Sequence, residues 1–96
     1  MTNFDNLDTL GEVAVNMAAV ASRTYYRANG LTYDSMDHFC SVIKTEVVAH
    51  LEKALADAKD ALDANMPQIA EATFKAEMML AGIATAKACS KPAEAK

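Results

Sequence analysis

Apolar residues recur at three- and four-residue steps in three separate runs of this chain. In the first, Leu7, Leu10, Val13, Met17, Val20 and Thr24 fall on one stripe with Ala14, Ala21 and Ala28 beside them, while Asp8, Glu12, Asn16 and Arg23 take the opposite side. That pattern predicts an amphipathic helix over residues 6–28. Its end is well marked. Arg23 and Arg27 favour the carbonyl end of a helix dipole, and Asn29-Gly30 supplies a left-handed cap, after which Leu31 is placed to pack back on Tyr26.

The second run opens with Asp34 as the expected N-cap, Asp37 three residues on, and Tyr33 positioned to staple against His38. From there Met36, Phe39, Cys40, Ile43, Val47, Leu51, Ala54, Leu55, Ala58 and Leu62 form one continuous stripe, and no Gly or Pro interrupts it before Met66. The prediction is a helix over 34–64, roughly 45 Å long at 1.5 Å per residue. Met66-Pro67 stops it, because the residue before a proline is pushed out of helical angles, and Pro67 suits the first turn of a third helix over 67–89. Residues 90–96 carry no apolar period and read as a disordered tail after a single helical domain over 1–89.

The short connection after the second helix forces a hairpin with the third. Matching positions across the turn sets Leu62 opposite Ile69, Leu55 opposite Ala76, Leu51 opposite Leu80, Val47 opposite Ile83 and Cys40 opposite Cys89. This register brings the two cysteines to one level, within geometric reach of a disulfide. The first helix then completes a three-helix antiparallel bundle. The third helix is apolar on a second side as well, where Phe74, Met78 and Ala81 project away from the expected seam. A helix apolar on two faces is buried on both. The reading adopted is self-association through Phe74, Met78 and Ala81; the competing one puts the third helix centrally, with the first against its second face.

Composition sharpens this. Of the 96 residues, 20 are alanine and only 19 are Val, Ile, Leu or Phe, so the core is thin for its length. Three Gly, two Pro and no Trp argue against an all-β sandwich or barrel and leave an all-α class. A net charge of −4 is the wrong sign for a general phosphate-backbone binder, which argues against direct nucleic-acid binding. The start lacks a basic and apolar leader pattern, and the longest uncharged stretches, 13–22 and 78–86, fall short of a membrane span. The expected setting is cytoplasmic, with thiols reduced.

Candidate chemistry is sparse. Asp34 with His38 and Glu46 with His50 have the four-residue spacing that puts two ligands on one helical face, yet neither pair has a third ligand in sequence reach. No metal or other cofactor is therefore expected. Asp57, Asp60 and Asp63 lack the glycine and alternation of a calcium loop and read as a solvated acidic edge. His50 lies nearly three turns from Cys40, too far to activate it as a nucleophile. Phosphate-binding glycine loops, serine elbows and paired Cys-x-x-Cys motifs are absent. No catalytic residues are assigned. Asn29-Gly30-Leu31-Thr32 between two helices hints at a helix-turn-helix, but Asp34 and Asp37 would face the phosphates.

An interaction surface is what remains. Arg23, Tyr25, Tyr26, Arg27 and Tyr33 cluster around the first turn, and Tyr and Arg are favoured at interfaces. The leading expectation is a non-enzymatic helical module, a homodimer, that occupies a surface on another protein or protein complex in the manner of an inhibitor or adaptor. The alternatives are an assembly subunit of a helical array and a small helix-turn-helix-like regulator or antitoxin.

Overall fold

Helix formation follows the apolar repeats closely. The computed structural model describes residues 7–92, apart from the side chains of Leu7 and Asp8. It contains α1 (Leu7–Asn29), α2 (Met36–Asp63) and α3 (Pro67–Cys89), with short strands β1 (Leu31–Tyr33) and β2 (Ser90–Pro92). The fold is an all-α three-helix bundle.

The helix ends show which local signals operate. α1 stops at Gly30, whose φ of +64° is the left-handed cap that the sequence predicts. At the start of α2 the expected cap is displaced by one residue. Ser35, with extended backbone angles, is the N-cap, and its Oγ accepts the His38 backbone N–H at 3.0 Å. Asp34 does other work: Oδ1 accepts the Ser35 N–H at 2.6 Å, and Oδ2 lies 2.7 Å from His38 Nδ1. Tyr33 packs its ring edge-on against Tyr26 and Phe39, at centroid distances of 4.9 Å and 4.6 Å.

α2 ends before the proline can act. Asn65 adopts φ +60°, with Met66 N donating to Ala61 O at 2.8 Å and Asn65 N to Leu62 O at 2.9 Å. This pair of bonds satisfies the last carbonyls of the helix, as a left-handed cap does. Pro67 then occupies the first turn of α3, where its missing N–H costs nothing.

The expected tail is corrected at its start. Ser90–Pro92 pairs antiparallel with Leu31–Tyr33, matching Leu31 to Pro92, Thr32 to Lys91 and Tyr33 to Ser90. Two three-residue strands leave no periodic signal, since each depends on a partner some sixty positions away. The rest of the tail, 93–96, lies outside the described residues. This strand pair gathers the end of α1, the start of α2 and the end of α3 at one pole, so α2 runs antiparallel to both other helices.

α3 is the central helix. It packs extensively on both α1 and α2, while α1 and α2 meet over a shorter stretch. Its buried face carries Ala70, Phe74, Met78, Ala81, Gly82, Thr85, Ala86 and Cys89. The expectation that Phe74, Met78 and Ala81 form an outward, self-associating face is therefore overturned: all three have 0% exposure within the single chain. The expected hairpin seam is reversed with it, since Ile69 and Leu80 are half exposed, at 50% and 52%. The physical reason is that α3 must serve two neighbours. Only the face that mixes Phe74 and Met78 with alanines and Gly82 offers both bulk for the core and a shallow surface for close approach.

That approach is closest at Gly82. A Cβ there would run into the Ala18 carbonyl oxygen and lie 2.9 Å from Ala21 Cβ, so α1 crosses α3 in direct backbone contact. Ser22, fully buried, donates its hydroxyl hydrogen to the Gly82 carbonyl at 2.5 Å across the same crossing. Against α3's other flank, α2 sets Phe39, Ile43, Val47, Ala54, Ala58 and Ala61 into the core. Alanine supplies half of that list, which is how a chain short of large apolar residues still closes a core.

Candidate functional site

The five residues expected to form one partner patch separate into three environments. Tyr26 is only 4% exposed and belongs to the core, and Tyr33 is half-buried against it. Tyr25 is half-buried and lines a groove on the bundle surface, while Arg23 and Arg27 are exposed. The clustering of Tyr and Arg in sequence thus gives no single Tyr/Arg surface. Adjacent helical positions point about 100° apart, and Tyr25 and Tyr26 divide accordingly.

The groove is lined by the stripe that the sequence assigns to the apolar face of α1, Val13, Met17, Val20 and Thr24, whereas Leu10, Ala14, Ala18, Ser22 and Tyr26 are the residues of α1 that enter the core. It runs between α1 and α3, encloses 1030 Å³, and has walls of Val13, Met17 and Val20 from one helix and Ala72, Met79 and Ile83 from the other. Asn16, Gln68 and Lys75 stand among the polar residues along it. Val20 and Met79 remain 52% and 45% exposed, and beside them on α3 the outward stripe of Ile69 and Leu80 continues the apolar surface. The volume is at the top of the range for small-molecule pockets, and its largely apolar lining suits the apolar face of a helix.

A second constellation sits at the strand-paired pole. Asp34 and His38 acquire the third potential ligand that sequence spacing did not offer: a carboxylate oxygen of Asp34, a ring nitrogen of His38 and Cys89 Sγ all lie within 4.8 Å of one another. The backbone holds them in place. Asp34 N donates to Cys89 O at 2.7 Å, next to the Tyr33–Ser90 strand pair. The His38 hydrogen bond holds the Asp34 carboxyl below its usual range.

Cys89 is buried, and that burial, followed by the Asp34 charge, pushes its thiol pKa up. A nucleophilic cysteine needs the opposite, an exposed site that lowers the thiol pKa. The Cys–His–Asp grouping therefore does not have the electrostatics of an activated nucleophile. Beside it Tyr26 has its pKa pushed up to about 12, mainly by burial and further by Cys89, Tyr33 and Asp34. Its hydroxyl is buried with no hydrogen-bond partner among the described residues.

Sequence register had matched Cys89 with Cys40 instead. In the structure Cys40 is exposed, Cys89 is buried, and both are free thiols. The difference lies on α2: Phe39 takes the core position there and leaves its neighbour Cys40 on the exposed side, while Cys89 lies on the buried face of α3.

The second histidine also finds a partner off its own helix. His50 Nδ1 lies 3.1 Å from Glu77 Oε1 on α3, not against Glu46, and Lys53 Nζ bridges Glu77 Oε2 at 3.4 Å and Asp57 Oδ2 at 2.7 Å. The His50 hydrogen bond, then Lys53, holds the Glu77 carboxyl below its ordinary value. This polar clasp fixes α2 to α3 along their outer edge. It ties one of the three expected acidic-edge residues, Asp57, into an ion-pair chain; Asp60 and Asp63 are exposed.

The turn that hinted at a helix-turn-helix is occupied by β1, whose edge is taken up by β2. Among the described residues no helix is long and apolar enough to cross a membrane. Compared with family models, with curated proteins and with solved structures, the chain matches none.

Proposed function

We propose that this chain is a small non-enzymatic interaction module that self-associates and, as a dimer, occupies a surface on a protein partner. One observation carries the reading: the apolar groove between α1 and α3, continued by the exposed stripe of α3. Contiguous exposed apolar surface of this kind is characteristic of interfaces. The occupant is a second copy, because the ridge bordering the groove is itself apolar. Around a twofold axis, Met79 and Leu80 of one copy face the groove of the other, and the reverse holds by symmetry. The interface is thereby moved from Phe74, Met78 and Ala81 to the opposite side of the same helix. Arg23 and Arg27, both exposed, remain available to the partner.

Size-exclusion chromatography with light scattering tests the proposal. A discrete dimer is expected for the wild-type chain and a folded monomer for Met79→Glu, with helicity by circular dichroism unchanged. A wild-type monomer at every accessible concentration overturns self-association. Large species that grow with concentration favour the assembly-subunit reading instead.

A further inference from the structure

We propose that Asp34, His38 and Cys89 form a zinc-type divalent-metal site that ties the start of α2 to the end of α3. The site is independent of the groove and of self-association. A carboxylate, an imidazole and a thiol are the three ligand types that Zn²⁺ accepts together, whereas Ca²⁺ and Mg²⁺ require oxygen donors. Bond lengths of about 2.0–2.3 Å in a tetrahedral site set ligand atoms roughly 3.3–3.8 Å apart. Here a carboxylate oxygen of Asp34, a ring nitrogen of His38 and Cys89 Sγ lie within 4.8 Å of one another, and Asp34 Oδ2 is 2.7 Å from His38 Nδ1. Small side-chain rotations reach the required spacing, and both Asp34 and His38 are exposed enough to make them.

The backbone is already committed. Asp34 N to Cys89 O and the antiparallel pairing of Tyr33 with Ser90 fix the two ligand-bearing segments against each other, and the Ser35 cap sets the first turn that carries His38. No ligand therefore has to be recruited from a mobile loop, which lowers the ordering cost of binding.

A second observation points to the same place. The Tyr26 hydroxyl is buried without a hydrogen-bond partner among the described residues, and its ring packs on Tyr33, the chain neighbour of Asp34. Three protein ligands leave a fourth tetrahedral position for a water, which would offer a hydrogen-bond partner to a polar group at this pole. On binding, the thiol proton of Cys89 is displaced to solvent, the sulfur coordinates as thiolate, and His38 ligates through a ring-nitrogen lone pair.

Co²⁺ is the probe, added to the full chain under a non-thiol reductant. The expected result is a one-to-one complex with a near-ultraviolet thiolate-to-cobalt band and intense visible bands of a tetrahedral ion, both abolished by Zn²⁺. Cys40→Ser should keep the band and Cys89→Ser should lose it. His38→Ala and Asp34→Asn alter exposed side chains, so they test the site without relying on a core substitution; each should weaken Zn²⁺ binding at least about tenfold. Zn²⁺ should also raise the thermal midpoint of the wild-type chain and not that of His38→Ala. Absence of a thiolate band in the wild-type chain overturns the proposal. So does a band that survives Cys89→Ser, or unchanged Zn²⁺ affinity in the His38 and Asp34 variants.

Discussion

The hydroxyl of Ser22 on α1 donates to the carbonyl oxygen of Gly82 on α3 at 2.5 Å, at the point where the two helices come closest. Both residues are buried, and the bond spans sixty positions of sequence. Helix carbonyls are normally satisfied within their own helix, so this contact requires α1 to lie directly on the backbone of α3. A glycine is what allows it. Gly82→Ala should destabilise the chain by about 1–3 kcal/mol, because the new methyl group meets the Ala18 carbonyl rather than a flexible side chain. That exceeds the roughly 1 kcal/mol of helix propensity gained. Ser22→Ala should cost about 0.5–1.5 kcal/mol. Urea unfolding followed by circular dichroism reads both, and an unchanged midpoint for Gly82→Ala would mean that the two backbones are not in contact.

Phe74 and Met79 lie five positions apart on α3, with opposite fates. Phe74 is at 0% exposure, so Phe74→Ala should lose about 3–5 kcal/mol and Phe74→Asp should unfold the chain. Met79→Ala, on a side chain 45% exposed, should stay within about 0.5 kcal/mol. Chemical denaturation of the two alanine variants at low protein concentration separates them. Equal stabilities would return Phe74 to the surface.

Glu77 makes a prediction about acid. Its carboxyl pKa is lowered in the fold, first by His50 and then by Lys53, so the ionised form is favoured by folding. The corresponding stability is present above the ordinary glutamate pKa of about 4.3 and is lost as pH falls through the lowered value. Stability should therefore decline from about pH 4 downward, and Glu77→Gln should flatten that limb while leaving its shape unchanged at higher carboxylate-ionised pH. A set of urea midpoints taken across the acid range measures the difference, and parallel curves for the two proteins would remove Glu77 from the account.

Tyr26 carries a cost that can be lifted. A buried hydroxyl without a partner costs about 1–3 kcal/mol relative to an apolar group of the same shape. In the presence of a chelator, Tyr26→Phe should raise stability by about 1 kcal/mol, since the ring packing on Tyr33 and Phe39 is retained. A loss of stability on this substitution would show that the hydroxyl is satisfied in solution.

The amino-acid sequence determined the helices. Periodicity placed three of them, Asn29-Gly30 ended the first, and Pro67 opened the third, because these signals act within a few residues of where they are read. Capping was legible to within one residue: Asp34 and Ser35 are both good caps, and Asp34 is drawn away by His38. Tertiary structure alone decided which face of α3 turns inward. That helix is apolar on nearly every side, so its stripes cannot rank one face above another. The choice fell to shape: Phe74 and Met78 fill the space between three helices, and Gly82 lets α1 lie close, which leaves Ile69 and Leu80 outside. The inward face also carries Cys89, and the pairing of Ser90–Pro92 with Leu31–Tyr33 brings it to Asp34 and His38 at one pole. These depend on contacts between segments some fifty to sixty residues apart, and local sequence patterns do not encode such distances.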